Sequence, residues 1–302
     1  MNTVRVAAMP GAEACADRIA GVLGASRCRL ESRRFPDGET WLRVADGVAG
    51  CDMAIVAQLR DPDPQLPGLL FAADALRELG ARSVGLVAPY LPYMRQDQRF
   101  SAGEAVTSRS FARLLSAAFG WLVTVDPHLH RYASLADIYT IPAQVVPSAP
   151  AIARWVRAQV PQPCVVGPDQ ESSQWVSEVA RLAGCPYMVL RKQRHGDRDV
   201  ELELPDLQAL RGRTPVLVDD IISSAHTMAA AVAALRARGQ RPPVCVGVHA
   251  IFAGDAAELL QTAGAARVVS CNTLAHPSNG IDLSDAIADS VRLQIESLRA
   301  SG

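Results

Sequence analysis

The stretch "TPVLVDDIISSAHTM", residues 214–228, passes from an apolar run into two acids and then into small hydroxyl residues. The β-branched run at 214–218 predicts a buried strand ending at Asp219 and Asp220, and 223–227 predicts a turn leading into a helix. In parallel α/β sheets, ligands bind beyond the carboxyl ends of the strands. The stretch therefore predicts both the fold class and the place of a site.

The same strand and helix pattern recurs along the whole chain. Strand-like runs in the first half are "TVRVAAM", "DMAIVAQL", "SVGLVAPY" and "WLVTVDP", and those in the second half are "PCVVGPD", "YMVLRKQR", "TPVLVDDII", "VCVGVHAIF" and "RVVSCNTL". Stretches of helical period separate most of them, which predicts βαβ units in two halves. Because Pro142, Pro147 and Pro150 discourage any continuous element, we place the domain boundary near residue 145, giving domains 1–145 and 146–302.

Composition narrows the functional class. The 302 residues carry a formal net charge of -1, so the overall balance suggests neither a nucleic-acid partner nor an acidic membrane surface. Seven cysteines without a CxxC pair suggest a reduced, cytoplasmic protein. Charged residues interrupt the first apolar runs, so we expect neither a signal peptide nor a membrane span.

The opening stretch has the chemistry of a sugar-phosphate site. Backbone amides at a helix N-terminus bind phosphate, and hydroxyls at Ser223, Ser224 and Thr227 reinforce them. Asp219 and Asp220 would repel phosphate, but they suit sugar hydroxyls or a hydrated divalent cation. The alternative is a solvated strand end followed by a simple helix cap.

Other loops carry further polar groups. "PYMRQDQRF" (92–100) follows a strand and offers arginines, which clamp polyphosphate by paired hydrogen bonds; a solvated charged loop is the alternative. In "RRFPDGETWLRV" (33–44), Asp37 and Gly38 predict a β-hairpin turn. "WLVTVDPHLH" (121–130) ends in an acid and two histidines, of which His130 is interpreted as structural.

"VLVDDIISSAHTM" resembles the phosphoribosyl-diphosphate-binding loop shared by type I phosphoribosyltransferases and ribose-phosphate pyrophosphokinases. "RRFPDGETWLRV", "PYMRQDQRF", "VDPHLH" and "LRKQRHGDRDVEL" resemble four loops of the pyrophosphokinases. With "VVGPDQES" and the opening stretch they are spread over residues 33–227, so the resemblance extends over the whole chain. The resemblance implies two phosphoribosyltransferase-like α/β domains, each a mostly parallel sheet flanked by helices. It also implies synthesis of phosphoribosyl diphosphate and AMP from ATP and ribose 5-phosphate, with Mg²⁺.

The resemblance also implies the site residues. The ATP residues are Phe35, Asp37, Gly38, Glu39, Arg95, Gln96, Asp97 and Arg99. The ribose 5-phosphate residues are Asp219, Asp220, Ser223, Ser224, Ala225, His226 and Thr227. Magnesium is assigned to His128 and Asp169, and catalysis to Lys192 and Arg194. In the family the DGE hairpin reaches a neighbouring subunit's ATP site, which implies a homo-oligomer, a dimer or a hexamer.

Some residues depart from the family pattern and suggest a divergent bacterial or archaeal-like branch. His226 occupies a position that is Gly in many members, where backbone approaches phosphate closely. Thr140 and Gln144 replace acids, which puts a second cation in doubt. Two alternatives stay open: a non-catalytic regulatory subunit that keeps the fold, and a phosphoribosyltransferase. The transferase would need only one such unit and neither the 92–100 loop nor the hairpin.

Overall fold

The computed structural model describes residues 3–195, 199–203 and 207–301, and the side chains at 171, 174, 191–195, 199–203 and 301 are not described. Its strands, β1 to β16, are Val4–Ala8, Ser26–Cys28, Leu30–Arg34, Thr40–Val44, Asp52–Val56, Ser83–Val87, Trp121–Val125, Ala143–Val146, Pro163–Gly167, Tyr187–Val189, Arg191–His195, Asp199–Glu203, Thr214–Ile222, Val244–Ala250, Arg267–Cys271 and Asn279–Ile281. Its α-helices, α1 to α8, are Glu13–Leu23, Leu66–Glu78, Thr107–Ala118, Ala149–Gln159, Ser173–Ala183, His226–Ala237, Ala256–Thr262 and Ser284–Ser301. None of the helices in these ranges has the length and apolar character needed to cross a bilayer.

The strands form two six-stranded sheets with the same topology. The strand order is β2-β1-β5-β6-β7-β8 in one and β10-β9-β13-β14-β15-β16 in the other, and the neighbours pair in parallel. A two-stranded antiparallel hairpin stands at the same point of each series, β3–β4 in the first and β11–β12 in the second. The predicted α/β fold with two mostly parallel sheets flanked by helices is confirmed.

Two compact units contain these sheets. The first comprises Met1–Val146 and Ser284–Gly302, and the second comprises Pro147–Leu283. The sequence analysis placed 146–302 in one domain, whereas helix α8 packs against α1, β7 and β8 of the first unit. An amphipathic helix joins the unit that buries its apolar face, and sequence order alone does not specify which unit that is.

A buried carboxylate helps to hold α8 on the first unit. Asp52 is 2% exposed, and its Oδ2 accepts a hydrogen bond from Arg299 Nη2 at 2.6 Å. Arg82 and Ser83 donate to the same carboxylate. Burial alone would raise the pKa of Asp52, but the hydrogen bonds from Arg82, Ser83 and Arg299 outweigh it, and its pKa lies below the ordinary value.

Dense packing in the first sheet predicts a large effect of one methyl group. Gly85 of β6 pairs with Trp121 of β7, and a Cβ at Gly85 would overlap the fully buried Trp121 ring. We expect Gly85→Ala to lower the free energy of unfolding by about 1–3 kcal/mol, because the close-packed core cannot absorb the added volume. Urea unfolding measures the change.

Gly21→Ala is the matched control, since a Cβ at Gly21 in helix α1 has no neighbour within 4 Å. We expect it to raise the free energy of unfolding by about 0.5–1 kcal/mol through lower entropy of the unfolded chain. Equal effects of the two substitutions would show that Trp121 does not constrain Gly85.

Candidate functional site

The second sheet brings three carboxylates to the point where its strand order reverses. The reversal lies between β9 and β13; Asp169 follows β9, and Asp219 and Asp220 lie near the end of β13. Strand β13 continues to Ile222, beyond the predicted end at residue 218, because it keeps pairing with β14 after its pairing with β9 stops at Leu217. This crevice is where doubly wound folds bind ligands.

The three carboxylates of this crevice lie close enough that ionising all of them is unfavourable. Burial raises the pKa of Asp219 well above its ordinary value, and the charges of Asp220 and Asp169 raise it further. The backbone N–H of Asp220 donates to Asp219 Oδ1 at 3.1 Å, which offsets only part of this. Hydroxyl groups or a hydrated cation would relieve the repulsion, so the donor set fits Mg²⁺, which prefers oxygen ligands.

Beyond the acids, residues 223–225 form a short loop into helix α6. Helix α6 begins at His226, so the predicted turn is shorter than expected and Thr227 belongs to the first helical turn. The loop's backbone is fixed from the side, since the N–H of Phe252 donates to Ile222 O at 2.9 Å and that of Ala253 donates to Ser223 O at 3.1 Å. A fixed loop at a helix N-terminus suits an anion.

The side chains of this loop differ in exposure. Ser224 and His226 are exposed, Ser223 and Thr227 are partly buried, and Ala225 is buried. Ala225 has a φ of 61°, in the left-handed region that favours glycine. His226, by contrast, adopts helical backbone, so a histidine at this position costs no backbone strain.

Lys192 and Arg194 belong to strand β11, which pairs with β12 through Lys192 and Leu202 and through Arg194 and Val200. The catalytic role predicted for both residues depends on their side chains, which lie outside the described part of the structure.

In the first unit, the predicted β-hairpin is confirmed. The Phe35 N–H donates to Glu39 O at 2.8 Å, and Gly38 has a φ of 92°, which the turn requires. Asp37 Oδ1 accepts from the Glu39 N–H at 3.1 Å. Phe35 is exposed, and the Arg33 guanidinium lies 4.7 Å from its ring centroid, so an aromatic face and a cation are presented to solvent.

The loop at 92–100, which follows β6, is held by hydrogen bonds of its own side chains. Gln96 Oε1 accepts from the Thr107 hydroxyl at 3.0 Å, and buried Asp97 accepts from Arg131 Nη1 at 2.8 Å. Arg95 and Arg99 are exposed, which leaves two guanidinium groups at the surface of a held loop. Sequence reasoning missed Arg131; its only signal is a basic residue directly after the "HLH" of the next loop.

The Asp97–Arg131 pair predicts a stability effect. Asp97 is 4% exposed, and its Oδ2 has no hydrogen-bond partner among the described residues. Arg131→Ala leaves this charge uncompensated, and we expect the free energy of unfolding to fall by about 1–2 kcal/mol, less than for a fully buried pair because Arg131 is partly exposed. Adding Asp97→Asn should restore part of the loss in urea unfolding.

Arg181→Ala serves as the control, since Arg181 pairs with Glu178 on the exposed face of α5. Exposed pairs contribute little, so we expect no measurable change in the free energy of unfolding. A similarly small loss for Arg131→Ala would mean that water satisfies Asp97.

The loop after β7 carries the remaining predicted residue. Asp126 has a φ of 30°, and its N–H donates to Val146 O at 3.2 Å. His128 is partly buried, and its ring meets that of His130 edge to face, with 3.9 Å between the centroids. His130 is exposed.

Comparison with known proteins gives matches to both halves. A family model described as the N-terminal domain of ribose phosphate pyrophosphokinase matches residues 4–118, and one described as the phosphoribosyl transferase domain matches residues 137–287. Ribose-phosphate pyrophosphokinase of Methanopyrus kandleri is 33% identical over 276 residues, covering 91% of this chain and 94% of the relative. That of Sulfolobus acidocaldarius is 31% identical over 280 residues, covering 90% and 94%.

A solved structure shares the fold. Phosphoribosylpyrophosphate synthetase from Mycobacterium smegmatis superimposes with a TM-score of 0.86, covering 98% of this chain and 100% of that chain at 24% sequence identity.

Proposed function

Since the chain belongs to the ribose-phosphate pyrophosphokinase family, we propose that it transfers the pyrophosphoryl group of ATP to the 1-hydroxyl of ribose 5-phosphate. The products are phosphoribosyl diphosphate and AMP. The observation that carries the proposal is the crevice of the second sheet, where three carboxylates adjoin a fixed loop at a helix N-terminus. A phosphorylated polyol combines the groups that this crevice can bind.

The second unit binds ribose 5-phosphate in this proposal. Amides of the loop and of the first turn of α6 bind the 5-phosphate, assisted by hydroxyls, while carboxylates accept hydrogen bonds from the ribose hydroxyls. The phosphate residues are Ser223, Ser224, Ala225, His226 and Thr227, and the ribose residues are Asp219 and Asp220.

The first unit binds ATP. The exposed guanidinium groups of Arg95 and Arg99 suit a polyphosphate, and Gln96 and Asp97 hold their loop in place. In a homo-oligomer, the exposed hairpin with Phe35, Asp37, Gly38 and Glu39 would reach a neighbouring subunit's nucleotide. We propose this arrangement because an exposed aromatic ring at the turn of a hairpin suits stacking on a base.

Mg²⁺ is the proposed metal, and the resemblance to the family assigns His128 and Asp169 to it. The carboxylates around Asp169 supply the oxygen donors that Mg²⁺ prefers. When bound with ATP, the ion neutralises charge on the phosphate oxygens.

The chain's own residues position the reactants. The 1-oxygen attacks the β-phosphorus as the bond from that phosphorus to the bridging oxygen of AMP breaks, and the hydroxyl proton passes to solvent. Lys192 and Arg194 neutralise charge that develops on the transferring group. Such transfers depend mainly on positioning and electrostatics, so a dedicated base is not required.

The test is AMP formation by the purified chain. We expect AMP and phosphoribosyl diphosphate to form in equal amounts, and only when ATP, ribose 5-phosphate and Mg²⁺ are all present. Absence of turnover at every Mg²⁺ concentration, with ribose 5-phosphate still bound, would instead indicate a regulatory subunit. Base-dependent consumption of phosphoribosyl diphosphate would indicate a phosphoribosyltransferase.

A further inference from the structure

The segment after β14 holds the loop before α6 through its backbone. The N–H of Phe252 donates to Ile222 O at 2.9 Å, and that of Ala253 donates to Ser223 O at 3.1 Å. The N–H of Ile251 also donates to Ile222 O, at 3.0 Å. Three successive amides therefore bind the two carbonyls at which β13 passes into the loop, and a displacement of Phe252 would displace the start of that loop.

Phe252 makes these bonds in a backbone conformation that costs free energy. Its φ is 45°, in the left-handed region that a bulky side chain rarely adopts. Such a conformation persists only where the surrounding contacts fix it. The Phe252 ring is 6% exposed and belongs to the same buried cluster as Ile222 and Ala225. Contacts of the ring therefore maintain the conformation of the backbone.

The imidazole of His276 lies flat on the Phe252 ring, with 4.2 Å between the centroids and 3° between the planes. His276 Nδ1 accepts from the Ser278 N–H at 3.2 Å, and because an amide can only donate, this nitrogen carries a lone pair. The His276 N–H donates to Asn279 Oδ1 at 3.1 Å, and Asn279 Nδ2 donates to Cys271 O at 2.9 Å. The imidazole is thus held from the end of β15.

These contacts form a continuous path from β15 to the loop at 223–225. We propose that His276 and Phe252 are positioning residues for this loop, an inference that rests on the proposed binding of ribose 5-phosphate there. His276 holds the Phe252 ring, and the Phe252 backbone holds the carbonyls of Ile222 and Ser223. Both residues act through the loop and not through contact with the ligand. Without the stacked imidazole, the amides that bind the 5-phosphate are no longer held in the binding geometry.

The first unit has a similar feature at the matching strand. Strands β6 and β14 are each fourth in their sheets, and Tyr93, in the loop after β6, has a φ of 65°. Its ring packs against Phe111 with centroids 4.8 Å apart, and its carbonyl accepts from the Gln96 N–H at 3.3 Å. Each unit therefore has an aromatic residue in left-handed backbone at a loop that the proposed function gives to phosphate groups.

Calorimetric titration of the full chain with ribose 5-phosphate tests the role of the imidazole. We expect His276→Ala to weaken binding about five- to twentyfold, because the competent conformation of the loop is then only fractionally populated. The KM for ribose 5-phosphate should rise by a similar factor, while the KM for ATP and the turnover number stay within about twofold, since the bound ligand restores the loop. A residue that merely stabilised the fold would leave both KM values unchanged.

His276→Phe and His276→Asn separate the ring from its hydrogen bond. The first variant keeps a flat ring against Phe252 and should recover most of the lost affinity, whereas the second keeps an acceptor for the Ser278 N–H but no ring and should not. Arg267→Ala is the matched control, since Arg267 begins the same strand β15 and its guanidinium lies over Trp155, 5.0 Å from the ring centroid. Its ribose 5-phosphate affinity should equal that of the unsubstituted chain.

Hydrogen exchange of the ligand-free chain separates this inference from the proposed function. In His276→Ala the amides at 222–227 should exchange at least about fivefold faster, while those of helix α1 in the first unit do not change. Unchanged exchange at 222–227, unchanged affinity for ribose 5-phosphate, or binding by His276→Phe as weak as by His276→Ala would each overturn the inference. Faster exchange without any binding of ribose 5-phosphate by the unsubstituted chain would refute the proposed function and still support the positioning of the loop.

Discussion

Lys192→Ala should lower the turnover number for phosphoribosyl diphosphate formation by about a hundred- to a thousandfold. A cation aimed at the charge that develops on a transferring phosphoryl group is worth rate factors of this order. The composition of the chain is an independent reason to expect a specific role for Lys192. Lys192 is the only lysine in the sequence, and the other 29 of its 30 lysine and arginine residues are arginines.

Lys192→Arg tests whether the ammonium itself matters. A compact ammonium is a point charge on a flexible stem, whereas guanidinium is planar and larger. We therefore expect Arg to recover only a small part of the lost turnover. Gln193→Ala, the neighbouring change in β11, should retain most of the activity, and urea unfolding should show little change for all three variants. Near-full activity of Lys192→Ala would refute the catalytic assignment.

Asp219→Asn should make the protein more stable at neutral pH while reducing turnover by at least about a hundredfold. Burial and the neighbouring acids raise the pKa of Asp219, so its ionised form is disfavoured in the folded state. Below pH 3.8, the ordinary pKa of the carboxyl, the protonated Asp219 makes its full contribution to stability. This contribution is lost as the pH rises through the raised pKa of the folded state. The ionised group therefore destabilises the fold at pH 7.

Urea unfolding in metal-free buffer measures this effect. At pH 7 the free energy of unfolding of the asparagine variant should exceed that of the unsubstituted chain by about 1 kcal/mol or more, since each pKa unit corresponds to about 1.4 kcal/mol. The difference should shrink as the pH falls toward 4. Asp220→Asn should give a smaller gain, because burial is the largest cause at Asp219. A loss of stability for Asp219→Asn at pH 7 would contradict the predicted sign.

The sequence predicted the features that depend on local pattern. Strand runs alternating with stretches of helical period predicted the parallel sheets, and Asp37 with Gly38 predicted the hairpin turn, because backbone preference and period are properties of neighbouring residues. The sequence analysis did not predict the grouping of Asp169 with Asp219 and Asp220, which arises because strand ends of one sheet lie at one edge.

Features that depend on distant partners could not be predicted in this way. Helix α8 joins the first unit through Arg299 and Asp52, which are 247 residues apart. The partner of Asp97 is Arg131 in another loop, and strand β13 exceeds its apolar run because β14 continues to pair with it. Each depends on tertiary contacts, which override local propensity.

The repeated strand order has an evolutionary consequence. When two halves of a chain share strand order, crossover and inserted hairpin, duplication of a single ancestral module is the simplest origin, and every loop then has a counterpart in the other half. The hairpin that carries Phe35 and the one that carries Lys192 are such counterparts. Selection can therefore adapt one hairpin to bind a nucleotide and the other to take part in catalysis, while both halves keep the same fold.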